Sequence, residues 1–269
     1  MGEKAIIAKR AGFLLRARAA ARDAERASMA EESVRGAFVD VNPNLRAYLA
    51  VPAGNGPHPA VLLFQEAFGV NAYIQSECER LARAGFAAIA PDLFRGEIYD
   101  YGDREAVFAK LKTLTDDGLL ADVRATMAYL DGRGDVRHDA YGSVGFCMGG
   151  RLSVLTAITF GAKIAAAASF YGGGIAQESH LGWPVLVDRV GNVEAALLLL
   201  YGADDEGIPP GEHGRVAEEL SKAKKRYTLS VFPHAGHGFA STDRASYARD
   251  AAEAGWEITL ALFEKNLKK

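Results

Sequence analysis

The sequence predicts an α/β fold with a mostly parallel central sheet, helices on both faces and an antiparallel hairpin at one edge. Short apolar runs alternate with segments of helical periodicity from about residue 34 onward, which is typical of such a sheet. Runs such as PAVLLFQ, residues 59–65, are continuously apolar, as in strands buried on both faces. Two strand-like segments flank the turn cluster Asn42-Pro43-Asn44, which indicates the hairpin.

The first half of the chain contains the hairpin and two buried strands separated by a helix. The hairpin strands are GAFVDV and LRAYLAVP, and PAVLLFQ is the first buried strand. Asn71 is a plausible N-cap for the next helix, whose apolar stripe ends at Gly85. The strand FAAIAPDLF follows and is stopped by Pro91. Residues from about 103 to 133 are expected to be helical, with a break near Asp116-Asp117-Gly118.

The second half repeats the alternation of strands and helices. YGSVGF is a strand that leads into the helix RLSVLTAITF, and IAAAASFY and AALLLLYG are two more buried strands. An irregular connection, residues 172–193, joins those two strands. The helix EHGRVAEELSKA and the strand YTLSVF come next. The last helix has an apolar stripe spaced by three or four residues, formed by Tyr247, Ala251, Ala254, Ile258 and Leu262.

Composition limits the classes of partner. Apolar residues make up 49% of the 269 residues, and the formal net charge is −3, so the chain has no electrostatic basis for binding nucleic acid. No run of about 18 apolar residues exists, so no membrane span is expected. The two cysteines, Cys78 and Cys147, suit a reducing compartment, and we expect a cytoplasmic protein. We expect no cofactor and no metal; the sequence leaves monomer and dimer open.

Residues 1–28 differ from the rest and are treated separately from a single domain spanning residues 29–269. They contain seven basic residues, three acidic residues and nine alanines. Three interpretations are open: an appended basic helix, a targeting peptide of the Arg-rich kind, or an artefact of the chosen start site. The three acidic residues disfavour the targeting peptide, and an appended or non-native extension is preferred.

Cys147 occupies the corner between a strand and a helix, in the motif G-F-C-M-G. Gly145 and Gly149 flank it by two residues on either side, which is the nucleophile-elbow pattern with sulfur in place of the usual serine oxygen. The helix N-terminus favours an anion there, and the N–H group of Met148 points to where an oxyanion would develop. The alternative is a small buried cysteine in a tight turn, since free cysteine is among the most buried residue types.

The elbow requires an acid and then a histidine at the ends of later strands. Asp204 and Asp205 follow one strand, and His234 and His237 follow the next, so both the order and the positions agree. His237 lies between two glycines, on a loop that can reach the elbow, whereas His234 directly follows Pro233 and is read as structural. No third ligand shares the spacing of the two histidines, so a metal site is disfavoured.

With these motifs, the sequence resembles the dienelactone hydrolase family of the α/β-hydrolase superfamily. The resemblance runs from about residue 34 to the end of the chain. It rests on FQEAFGVN at 64–71, PDLFRG at 91–96, GFCMGGRL at 145–152, GADDEGIPP, HAGHGFA and the ending RASYARDAAEAGWEITLALF.

The resemblance implies an α/β-hydrolase fold and a role for each motif residue. Cys147 would be the nucleophile, His237 its general base and Asp205 the acid, with Asp204 as the fallback. Glu66 would contact the resting nucleophile, and the N–H groups of Ala67 and Met148 would form the oxyanion hole. Arginines bind the substrate's carboxylate in the family, so the resemblance implies substrate contacts for Arg95 and Arg244, although the family's usual arginine position is occupied here by Ser241. Aromatic residues could wall a small pocket; they are Phe68, Tyr99, Tyr101, Tyr171, Trp183 and Phe239.

The predicted function is hydrolysis of an activated ester or lactone, a small-molecule substrate, through a thioester on Cys147. A thiolate is also a good leaving group, so cysteine suits esters whose alkoxide departs easily. A general carboxylesterase or thioesterase is the first alternative. A non-catalytic binding protein on the same scaffold is the second.

Overall fold

A computed structural model describes residues 34–179 and 181–268, and it contains an eight-stranded sheet. The expectations for residues 1–28 therefore lie outside the described residues. The sheet has the order β1-β2-β4-β3-β5-β6-β7-β8. The strands are β1 Val34–Asn42, β2 Leu45–Pro52, β3 His58–Phe64, β4 Ala87–Pro91, β5 Val136–Phe146, β6 Ile164–Phe170, β7 Ala196–Gly202 and β8 Tyr227–Phe232.

Six helices accompany the sheet within the described residues. They are α1 Ala72–Arg83, α2 Arg104–Leu111, α3 Asp116–Asp131, α4 Met148–Phe160, α5 Pro210–Lys222 and α6 Arg249–Leu267. Short 3₁₀ turns span Gly161–Lys163 and Val187–Asn192. None of the helices in this part of the chain has the length and the apolar character that crossing a bilayer requires.

The direction of the strands confirms the predicted fold class. Strands β3 to β8 are parallel to one another, whereas β2 is antiparallel to both of its neighbours, β1 and β4. Consecutive residues of β4 and β7 are buried, as they must be where helices cover both faces of a sheet. The hairpin therefore forms an antiparallel edge on a parallel sheet.

Two local predictions need correction. The break in the helical region 103–133 lies at residues 112–115, because Thr115 caps α3 by accepting a hydrogen bond from Gly118 N, and the Asp-Asp-Gly segment forms the first turn of α3. The buried stripe of α6 is also rotated by about one residue from the predicted one. Trp256 and Phe263 face the core, whereas Tyr247 precedes the helix and is exposed.

Candidate active site

The carboxyl ends of four parallel strands bring the predicted site residues to one edge of the sheet. Glu66 follows β3, Cys147 follows β5, Asp205 follows β7 and His237 follows β8. Parallel strands end at the same edge, so residues far apart in sequence become neighbours there. The turns after β7 and β8 are also joined directly, because Asp204 N donates to Ala235 O over 3.0 Å.

Cys147 lies in a strained turn that only small neighbours permit. Its φ is +55°, which is unusual for a residue with a side chain. A Cβ atom at Gly145 would lie 1.9 Å from the carbonyl oxygen of Gly149, and one at Gly149 would lie 2.3 Å from that of Phe64. The two flanking glycines therefore allow β5, α4 and β3 to approach closely enough for the thiol to project above the sheet edge.

A chain of hydrogen bonds connects the thiol, the imidazole and a carboxylate. Nε2 of His237 is 3.1 Å from Sγ of Cys147, and Nδ1 of His237 is 2.8 Å from Oδ2 of Asp205. The other oxygen of Asp205 accepts from the backbone N–H of Gly207 over 3.0 Å, which fixes the buried carboxylate. Asp204 is exposed and makes no such bond, so the carboxylate beside His237 is that of Asp205.

The surroundings of His237 favour its charged form. Burial by itself would lower the pKa of the imidazole, but the negative charge of Cys147 and the hydrogen bond to Asp205 outweigh that effect. Together they raise the pKa of His237 to about 10. The imidazole of His237 therefore favours its protonated form at neutral pH.

Two backbone N–H groups border the same space. Met148 is the first residue of α4, where the helix geometry leaves N–H groups without an intrahelical acceptor. Ala67 belongs to the turn after β3, and both residues line the cavity that Cys147 and His237 open into. Ala67 and Met148 therefore lie on the cavity wall close to the thiol.

Glu66 is fully buried, and its hydrogen-bond partner is Arg244 rather than Cys147. Nη1 of Arg244 lies 3.4 Å from Oε1 of Glu66. Burial raises the pKa of Glu66, and the positive charge of Arg244 opposes that rise only in part. The guanidinium of Arg244 also lies 5.6 Å from the ring centroid of Phe68 and 5.8 Å from that of Tyr101. Arg244 therefore reaches the site although it lies three positions after Ser241.

The cavity has a volume of about 740 Å³ and extends well beyond the thiol. Phe68, Tyr101, Trp183 and Arg244 line it. Tyr171 is fully buried, with its ring 5.3 Å from the imidazole of His237. The buried ring of Tyr171 therefore packs against the imidazole of His237 from the protein interior.

Three predicted substrate contacts do not line the cavity. Arg95 forms an ion pair with Asp122 at 2.8 Å, which directs its guanidinium to α3. Tyr99 donates to Glu97 and packs against Phe94. Phe239 is fully buried and packs against Tyr171 and Phe232, so it supports the histidine loop from below.

One group of cavity residues was not anticipated from the sequence. Arg104, Val107, Phe108 and Leu111 form one face of α2 at helical spacing, and all four line the cavity. Their i, i+3, i+4, i+7 pattern was available in the sequence, but the pattern alone does not show whether such a face meets a core or a cavity.

Within residues 34–179 and 181–268, no group of three or more His, Cys, Asp or Glu side chains is placed to hold a metal ion.

Comparisons with known proteins agree with this geometry. The model of the dienelactone hydrolase family matches residues 45–267. A Methylorubrum extorquens protein named "Putative carboxymethylenebutenolidase" is 34% identical over 214 residues, which cover 78% of this chain and 73% of the relative. A Bradyrhizobium protein named "Probable 2-oxo-3-(5-oxofuran-2-ylidene)propanoate lactonase" is 33% identical over 237 residues, covering 86% and 95%.

A solved structure shows the same fold. The crystal structure of a "Putative Dienelactone Hydrolase" from Klebsiella pneumoniae superposes with a TM-score of 0.80 at 31% identity, and the match covers 86% of this chain and 99% of that one.

Proposed function

Because the chain belongs to the dienelactone hydrolase family and is a hydrolase of ester and lactone bonds, we propose that it acts through a thioester on Cys147. The observation that carries this proposal is the continuous contact from Sγ of Cys147 through the imidazole of His237 to the carboxylate of Asp205. This is the order of nucleophile, base and orienting acid that acyl transfer requires.

In the proposed acylation step, the sulfur of Cys147 attacks the carbonyl carbon while His237 holds the proton of the thiol. The negative charge that develops on the carbonyl oxygen is stabilised by the N–H groups of Met148 and Ala67. Each such donor contributes about 3 kcal/mol in comparable sites. Collapse of the tetrahedral intermediate transfers the proton from His237 to the departing alkoxide and leaves the acyl group on sulfur.

In the proposed deacylation step, His237 removes a proton from water, and the resulting hydroxide attacks the thioester. The tetrahedral intermediate then breaks its C–S bond, which releases the carboxylic acid and returns the sulfur of Cys147 as a thiolate beside the protonated His237. Asp205 keeps Nδ1 of His237 protonated, so that Nε2 faces the reacting atoms in both steps. The raised pKa of His237 favours the imidazolium, so the ring can carry the proton that the departing alkoxide later receives.

The proposed substrates are activated esters and lactones, such as enol lactones. A thiolate leaves a tetrahedral intermediate easily, so productive turnover requires an alkoxide that leaves at least as easily. We further propose that Arg244 interacts with the substrate, since it lines the same cavity as Cys147 and His237. A general carboxylesterase or thioesterase is the remaining alternative, and turnover of simple alkyl esters as fast as enol lactones would favour it.

A cytoplasmic location is proposed as well. A nucleophilic thiol requires a compartment that keeps it reduced, and the two free cysteines, Cys78 and Cys147, fit such a compartment.

The test is acyl-enzyme formation measured by intact mass with an activated ester under conditions of rapid mixing. An adduct of one acyl group is expected in the wild type and in Cys78→Ala, and it should be absent in Cys147→Ala. His237→Ala should lower the rate of turnover strongly. An adduct that persists in Cys147→Ala, or full turnover without Cys147, would refute the thioester mechanism. No adduct and no turnover in the wild type would point to a role other than the one proposed.

A further inference from the structure

We propose that α2 and the connection between β6 and β7 form an apolar subsite that binds the bulky hydrocarbon part of the substrate, next to the thiol. Val107, Phe108 and Leu111 supply one side of the subsite, and Leu181 and Trp183 supply the other. The occupant is an aromatic or branched aliphatic group on the ester or lactone. This inference rests on the proposed function, because the reacting carbonyl of the same molecule must reach Cys147.

The size of the cavity is the first observation. A volume of about 740 Å³ falls in the range of about 300–1,000 Å³ that encloses drug-sized ligands. The reacting carbonyl occupies only the end bordered by Ala67, Cys147, Met148 and His237. The remaining space is continuous with that end, so a substrate of matching shape would place a large group in it.

The wall formed by Trp183 is held rigidly. Its indole N–H donates to the carbonyl oxygen of Leu114 over 3.2 Å, so the polar atom of the ring is already satisfied. The guanidinium of Arg151 lies 5.2 Å from the centroid of the Trp183 ring. Arg151 also donates to the carbonyl oxygen of Pro184 over 2.6 Å and pairs with Asp116 over 2.6 Å. Trp183 therefore presents a fixed hydrocarbon surface to the cavity.

The connection that carries Trp183 is anchored from a second helix. The buried carboxylate of Glu212, on α5, accepts hydrogen bonds from the N–H groups of Ile175 and Ala176 over 2.8 and 2.9 Å. Two buried charged side chains, Arg151 and Glu212, thus fix this connection at separate points. A preformed wall costs less ordering entropy on binding than a mobile one.

The other wall of the subsite is formed by one face of the short helix α2. Phe108 is 48% exposed, although it is a large apolar side chain, while its neighbours Val107 and Leu111 are buried and hold α2 in place. Phe108 therefore offers exposed apolar surface at a concave site, where an apolar part of a ligand can cover it. Charged side chains border the apolar lining: Arg104 lies on the same face of α2, Glu178 lies on the β6–β7 connection, and Asp204 and Glu206 lie on the turn after β7. The hydrocarbon group would therefore contact only the part of the cavity wall that the apolar side chains of α2 and of the connection form.

The test compares kcat/KM for a bulky and a small substrate in two ester series. The acyl series uses 4-nitrophenyl 3-phenylpropionate and 4-nitrophenyl acetate, and the alcohol series uses 2-naphthyl acetate and vinyl acetate. For each variant, kcat/KM for the bulky ester is divided by kcat/KM for the small ester. This ratio is then divided by the wild-type ratio, which cancels the intrinsic reactivity of the two esters. In at least one series, Phe108→Ala and Leu181→Ala should each lower the ratio about tenfold. Phe38→Ala is the matched control, because Phe38 is 41% exposed and does not line the cavity; its ratio should stay within about twofold.

A binding measurement separates failure of the subsite from failure of the proposed function. In the Cys147→Ala background, 4-phenyl-2-butanone should bind about tenfold more weakly when Phe108→Ala is added, as measured by calorimetry. Unchanged ratios in both series together with unchanged binding would overturn the subsite alone. Weaker binding of the ketone in a protein that shows no Cys147-dependent turnover would overturn the thioester mechanism and leave the subsite standing.

Discussion

The Nε2 atom of His237 lies 3.1 Å from the Sγ atom of Cys147, although 90 positions separate the two residues in the chain. The two loops meet because β5 and β8 run in the same direction and end at the same edge of the sheet. The imidazole therefore contacts the nucleophile on one side and Asp205 on the other.

Replacing Asp205 by asparagine should lower kcat by about 10³- to 10⁴-fold while the fold persists. Asparagine can hold the wrong imidazole tautomer, so Nε2 would no longer be available as a base. The pKa of His237 should also fall, because the hydrogen bond and the charge of Asp205 both raise it. Steady-state kinetics and an NMR titration of the imidazole measure the two effects. Asp204→Asn, which alters the adjacent exposed carboxylate, should have a much smaller effect; equal losses would assign the role to neither residue alone.

Gly149→Ala should destabilise the fold by about 3 kcal/mol or prevent folding. The new methyl group would lie 2.3 Å from the carbonyl oxygen of Phe64, so β3 and α4 would have to separate. Urea unfolding measures the change. Gly214→Ala is the control, since Gly214 lies in α5 with no atom within 4 Å of the new Cβ. It should stabilise the protein by about 0.5–1 kcal/mol through the better helix propensity of alanine.

Arg151→Met should lower the free energy of unfolding by about 3 kcal/mol. The substitution leaves the carboxylate of Asp116 and the carbonyl of Pro184 without their donor in a largely buried setting. Chemical denaturation measures the loss. The double variant Arg151→Met with Asp116→Leu should recover part of it, because no charge is then left unpaired. Arg249→Ala breaks an exposed pair with Glu253 and should leave the free energy of unfolding nearly unchanged; an equally small change for Arg151→Met would contradict the prediction.

The stability of the protein should fall between about pH 5 and pH 8 because of Glu77. Burial raises the pKa of Glu77 to about 7, and the ion pair with Arg80 offsets the burial only in part. Between its ordinary pKa and about pH 7, the folded state binds more protons than the unfolded state, so the free energy of unfolding decreases as pH rises. The contribution over this interval is about 2 kcal/mol.

Glu77→Gln tests this pH dependence, because glutamine does not titrate. The difference between the free energies of unfolding at pH 5 and pH 8 should shrink in the variant by about 2 kcal/mol. Glu253→Gln, at an exposed position, should leave the difference as it is in the wild type. An identical pH dependence in Glu77→Gln and the wild type would show that another group is responsible.

Several structural features were predictable from local sequence alone. The Asn71 cap is confirmed, since its side chain accepts from the N–H of Ile74. The hairpin and the order of strands and helices also follow from turn residues and from continuous apolar runs, which act over a few residues. The stripe of α6 was placed wrongly because its apolar residues nearly surround the helix, and only the packing of Trp256 and Phe263 selects the buried face.

Part of the site could also be predicted from local sequence. The motif G-F-C-M-G specifies a tight turn through its glycines, and the order of Cys147, Asp205 and His237 along the chain could be read directly. Arg95 was misplaced because its local pattern does not reveal that Asp122, on a helix later in the chain, would pair with it. The positions of Arg244 and of the lining face of α2 at the cavity likewise depend on contacts between segments that are distant in the sequence.

The sequence by itself determined which segments become strands and helices, where the strained corner at Cys147 falls and which residue types follow each strand. These properties arise from side-chain volume, backbone freedom and apolar periodicity, which act within a few residues. The tertiary structure alone decided that Glu66 pairs with Arg244, that Arg95 pairs with Asp122 and that one face of α2 lines the same cavity as Trp183. Those contacts depend on how the strands are ordered in the sheet, and distances across a sheet are not encoded in any local stretch of the chain.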